Sequence, residues 1–161
     1  MRLVDNMKFV MSNVPVDINN NAVTGDYVSM KNYDHLTIIL QFGAVGTGTA
    51  LTLKQATDVG NSLSDEKALG FSKIFTNVGN TTDTLTEVAV TSNTYTVGDA
   101  PSNLYVVEVD AASLDVNNGF DCVRMNLAAG AGTTLLAVLY ILSNSRYAGS
   151  QASNLPSAIL D

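Results

Sequence analysis

The chain has 161 residues, 46% hydrophobic and only 14% charged, which is enough to bury one core without disulfide or metal staples. Its net charge of −7 and its 8 scattered basic residues argue against nucleic-acid binding, which needs clustered Lys and Arg. Cys122 is the single cysteine, which excludes an internal disulfide, and the longest apolar run, Leu135 to Leu142, falls far short of the ~18 residues of a membrane helix.

Residues 1–22 read as an irregular N-terminal arm, because Pro15 discourages a helix and Asn19-Asn20-Asn21 is turn chemistry. Asp5, Asn6 and Lys8 interrupt any apolar stretch behind Arg2, so no secretory signal is read there. With a lone cysteine, this fits synthesis and folding in the cytoplasm. Val23 to Met30 predicts a short strand. His35 to Phe42 predicts a long one, with Leu36, Ile38, Leu40 and Phe42 on the core face and Thr37, Ile39 and Gln41 opposite. The glycine-rich stretch from Gly43 to Gly48 turns the chain into a strand over Thr49 to Ala56, with Leu51 and Leu53 inward.

A polar loop follows over residues 57–65. Ser64 to Leu69 reads either as the start of a short helix capped by Ser64 or, given Gly70 and the β-rich Phe71 to Thr76, as a lead-in to a strand. Strands continue over Thr84 to Val90, Thr94 to Val97 and Leu104 to Asp110, the last with Tyr105, Val107 and Val109 inward. Ala111 to Asp115 suggests a helical turn, and Asn117-Asn118-Gly119 a turn. Val123, Met125 and Leu127 mark the core face of a strand from Phe120 to Ala128. Thr133 to Leu142 is the last strand.

About eight strands with regular turns and almost no helical period predict an all-β, single-domain, jelly-roll-like β-sandwich. The expected organisation is an arm over 1–22, the sandwich over 23–147 and a C-terminal tail over 148–161. In the last strand, Leu135 to Leu142 does not alternate. A strand that faces water on one side does, so both faces of this one are expected against protein, the second covered by another subunit. The candidate interface is Leu136, Val138 and Tyr140 on this strand, Arg146 and Tyr147 after it, and Leu155, Ile159 and Leu160 in the tail.

No constellation points to catalysis. His35, the only histidine, adjoins Asp34, but neighbouring strand residues point apart, and no glycine-flanked serine is present. Cys122 sits beside Asp121, which disfavours a thiolate. Asp58, Asp65 and Glu66 lack the spacing of a calcium loop, and one His with one Cys makes no zinc site. Gly43 to Gly48 lacks the Lys-Ser/Thr of a phosphate loop. The expectation is a non-enzyme with no cofactor and no metal.

Several segments resemble the cement, or decoration, proteins of tailed-bacteriophage capsids. They include Tyr33 to Ala44, Leu51 to Ala56, Lys67 to Phe71, Tyr105 to Asp110, Gly119 to Arg124, and Val138 to Leu142 with Arg146-Tyr147. The resemblance spans roughly residues 30–160 and is one of texture and order, without a sharp motif. It implies a jelly-roll-like domain on the outer surface of the virion capsid, with the major capsid protein and further copies of itself, as a homodimer or homotrimer, for partners. It carries over no catalytic residues. Other readings are a tail or head-completion protein and a carbohydrate-binding β-sandwich; the absence of Trp and the 7% aromatic content count against the last.

Overall fold

The computed structural model describes residues 3–60 and 65–146. In chain order the strands are β1 (Lys8–Asp17), β2 (Val23–Thr24), β3 (Val28–Ser29), β4 (Tyr33–Phe42), β5 (Ala50–Ala56) and β6 (Lys67–Ala68). They continue with β7 (Lys73–Asn77), β8 (Thr86–Ala89), β9 (Thr94–Thr96), β10 (Leu104–Asp110), β11 (Cys122–Leu127) and β12 (Leu135–Ser145). Short 3₁₀ turns at Ala111–Ser113 and Val116–Asn118 fill the corner before β11, where the sequence suggested a helical turn and a tight turn.

The strands form two sheets packed face to face. The first runs β1-β12-β4-β10-β7-β8, and the second β2-β11-β5-β6, with β3 also on β11 and β9 on β5. The path is that of a hairpin rolled up on itself. Strands from the first half of the chain pair with strands from the second: β1 with β12, β2 and β3 with β11, β4 with β10. This is jelly-roll topology. The β7–β8 hairpin extends the first sheet beyond β10.

Alternation builds the core. Leu36, Ile38, Leu40 and Phe42 of β4 and Tyr105, Val107 and Val109 of β10 point inward from the first sheet. Leu51 and Leu53 of β5 and Val123, Met125 and Leu127 of β11 meet them from the second. All are at most 4% exposed. Burying each Leu or Ile contributes on the order of 1.5–3 kcal/mol.

The expected irregular arm is corrected in its main part: residues 8–17 form the ten-residue strand β1, paired along β12. Its alternation is hidden in the sequence by polar Ser12, which is buried, and by Pro15. Pro15 is tolerated because β1 lies at a sheet edge, where a missing N–H breaks no ladder bond. The single strand expected over Val23 to Met30 is split into β2 and β3. Between them, Gly25 lies so close to β11 that an added Cβ would overlap the Met125 carbonyl oxygen and stand 2.6 Å from Ser12 Oγ. The proposed cap Ser64 lies outside the described residues; at residues 65–69 the helical alternative gives way to strand β6 over Lys67–Ala68, bonded to β5.

Candidate protein interface

The two outer faces of the sandwich differ in chemistry. On the second sheet, Arg124 of β11 and Lys54 of β5 are direct cross-strand neighbours, and both pair with Glu66. Burial alone would raise the Glu66 pKa; hydrogen bonds from Lys54 and Tyr27 and the Arg124 charge outweigh it and hold the carboxyl below its usual range. The Arg124 guanidinium lies 4.6 Å from the Tyr27 ring centre. Nearby, Lys67 pairs with Asp115 and sits 4.0 Å over the Phe120 ring. This face is closed by its own charges.

The outer face of the first sheet is apolar. Strand register places Met11, Leu139, Ile39, Val106 and Phe75 in one row across β1, β12, β4, β10 and β7. At the ~4.8 Å spacing of strands, that row is about 19 Å wide. Phe9 and Ile141 stand in the next row. Met11 is 60% exposed and Val14 65%; Phe9 and Leu135 are also exposed, and Leu139, Ile141, Ile39, Val106 and Phe75 are half-buried. Within the central row from Met11 to Phe75 there is no charge.

Polar groups rim this face. At one end, His35 Nδ1 is 2.8 Å from Asp110 Oδ1, its Nε2 bonds Glu108, and Thr37 Oγ1 donates to Glu108 at 2.9 Å. Burial lowers the His35 pKa, but the hydrogen bonds and charges of Asp110 and Glu108 prevail and raise it above 6.5. At the far edge Lys73 pairs with Glu87 at 2.9 Å.

The structure separates the candidate interface residues. Leu136, Val138 and Tyr140 face the chain's own core, each at most 2% exposed, so their place in an interface is corrected. The physical reason is the period of two along β12, which turns these three inward and Leu135, Leu139 and Ile141 outward. The Tyr140 hydroxyl accepts the Met125 N–H across the sandwich at 3.0 Å, and burial pushes its pKa up to about 12. Arg146 is half-exposed, with Nε donating to Asp34 Oδ1 at 2.7 Å and its backbone N–H to Asn32 O at 3.0 Å. Tyr147, Leu155, Ile159 and Leu160 lie outside the described residues. Phe9, Met11 and Val14 were missed because they fall in the stretch read as an arm; the alternation of Phe9 and Met11 with Val10 and Ser12 was the available signal, and a register shift takes Val14 out of that phase.

His35 and Asp34 do not pair with each other: Asp34 takes Arg146, and His35 takes β10. Cys122 is buried, and burial together with the Asp121 carboxylate pushes its thiol pKa far up. Among the described residues no three His, Cys, Asp or Glu side chains gather as a metal site. The Gly43–Gly48 stretch is a turn between β4 and β5, where Gly46 N–H donates to Thr134 Oγ1 at 3.1 Å and the backbone passes too close to Ala131 for a side chain.

No family model and no curated protein matches the chain. Among solved structures it is similar to the SPBc2 prophage-derived protein YomS, at 12% identity and a TM-score of 0.47, over 84% of this chain and 93% of that one. It is also similar to the infectious bursal disease virus Gt strain structure, at 12% identity and a TM-score of 0.24, over 95% of this chain and 45% of that one. For T=1 particles derived from infectious bursal virus the values are 12% and 0.26, over 95% and 43%.

Proposed function

We propose that this protein is a non-catalytic structural component of a tailed-phage virion that binds the outside of the icosahedral shell and stabilises contacts between major capsid subunits. The observation that carries the reading is the apolar outer face of the first sheet. The row crosses five strands without a charge and ends at the exposed Met11, and contiguous apolar surface with a polar rim marks an interaction site. The sequence resemblance to capsid cement proteins supports the same reading, and it supplies the partner: a major capsid subunit under the face, with further copies of this chain alongside.

The test is co-sedimentation with mature, empty shells of the parent phage. The full chain is expected to bind saturably. The double variant Met11→Lys, Leu139→Lys is expected to lose at least about tenfold in affinity, because it places two adjacent charges in the uncharged row. Near-UV circular dichroism should be unchanged, since both side chains point away from the core. Undiminished binding by a folded variant would overturn the face as the contact. Immunogold labelling of the particle separates the alternatives: label over the whole head supports a cement role, and label restricted to the tail or one vertex would reassign the chain to a tail or head-completion protein.

A further inference from the structure

His35 lies on the outer face of the first sheet, directly opposite Asp110 of β10 and Ser143 of β12. In the next row Glu108, Thr37, Ile141 and Phe9 follow one another across β10, β4, β12 and β1. Glu108 therefore stands between the row of His35 and the uncharged row, on the same strand and the same face as Val106. β7 pairs with β10 only as far as Val106↔Phe75 and then diverges, so among the described residues no strand is paired with β10 at Glu108 on that side.

Both ring nitrogens of His35 meet a carboxylate: Nδ1 is 2.8 Å from Asp110 Oδ1, and Nε2 bonds Glu108 Oε2. Ionised carboxylate oxygens only accept hydrogen bonds, so each nitrogen has to donate, and only the imidazolium carries two N–H groups. A neutral ring has one N–H and turns a lone pair to the carboxylate it does not serve. The groups around it offer no substitute. On β4, Asp34 is taken by Arg146. β12 presents Ser143, and the turn over Ala111–Ser113 carries no ionisable group. Lys73 of β7, across the hollow that Glu108 and Asp110 line, is paired with Glu87 of β8. Among the described residues His35 is the only cationic partner of Glu108 and of Asp110.

We propose that His35 is a proton-operated control on the shell contact: the protonated ring lets the outer face of the first sheet dock, and the neutral ring weakens docking. The inference rests on the shell-binding reading of that face. With the imidazolium in place, Glu108 is neutralised at the border of the uncharged row. Once the proton leaves, Glu108 has lost its countercharge whichever carboxylate the remaining N–H serves, and Thr37 Oγ1, which donates to it at 2.9 Å, is neutral. The cluster of His35, Glu108 and Asp110 then carries two negative charges in place of one. A shell surface that covers the row has to take a carboxylate without countercharge out of water, which costs more than covering a paired one. Burial lowers the His35 pKa, but the hydrogen bonds and charges of Asp110 and Glu108 raise it above 6.5, so the change falls on the alkaline side of that value.

The experiment measures the Kd of the full chain for mature, empty shells of the parent phage at about pH 6 and pH 9, with the folded variants His35→Gln and Glu108→Gln alongside. The natural chain is expected to bind about threefold to tenfold more weakly at the higher pH. His35→Gln is expected to bind at both pH values as the natural chain does at the higher one, which removes titrating groups of the shell as the cause. Glu108→Gln is expected to bind tightly at both, because it has no charge to bare. Equal Kd values at the two pH values for the natural chain overturn the inference and leave the shell reading standing. A pH dependence that either variant retains in full also overturns it. Absence of binding at both pH values overturns the shell reading and this inference with it.

Discussion

At the scale of single residues, two side chains have measurable consequences. Tyr140 is the hydroxyl link between the sheets, buried completely and bonded to Met125 N–H. Tyr140→Phe keeps the ring and leaves that N–H with no acceptor, which costs about 1–3 kcal/mol. A lower urea midpoint with an unchanged slope is the expected result. His35 is held between Asp110 and Glu108 with its pKa raised above 6.5. The folded state therefore binds its proton more tightly than the unfolded chain does. The stabilisation is complete below 6.5 and is lost as pH rises through the higher folded value. Because the ring is partly exposed, the effect is under ~1 kcal/mol. Urea midpoints between about pH 6 and pH 9 should fall for the natural chain and lose that slope in His35→Gln.

At the scale of elements, β1 is the instructive case. Among the described residues it is the last strand on its side of the first sheet, the arrangement that invites pairing with a second molecule. Pro15 removes one donor, and register shifts between Met11 and Asn13 and between Asn13 and Val16 break its straight line. Pro15→Val restores a donor and a strong strand former. It is expected to increase concentration-dependent association, read by light scattering at matched concentrations; an unaltered scattering curve would assign the protection to the bulges alone. The same features made β1 illegible in the sequence, where proline and a buried serine masked the alternation. The strands legible from the sequence were those whose core residues recur at every second position, as in Leu36 to Phe42 and Tyr105 to Val109. The apolar second face of β12 was also legible, but its phase was not. Periodicity says that a strand has two apolar faces, and only the partner strands say which one meets the core. The wrapped order of the strands, and the divergence of β7 from β10, depend on contacts between distant parts of the chain and have no local signature.

At the scale of the whole molecule, charge and apolar surface are segregated. Ion pairs close the outer face of the second sheet, and on the first sheet they stay at the rim. A shell contact centred on the uncharged row is expected to depend weakly on salt, with a Kd changing less than about threefold between roughly 50 and 500 mM, because screening acts on exposed charges. Titrations of fluorescent chain onto shells at several salt concentrations check this, and a steep fall would move the contact to the rim charges. The placement of Cys122 has a practical corollary. The chain's sole sulfhydryl is sealed inside the sandwich and held in its protonated form, so the natural protein is a silent background for alkylating dyes. One cysteine introduced at the exposed Val116 would then carry one dye per chain. The fluorescence of a single particle would count how many copies a virion holds.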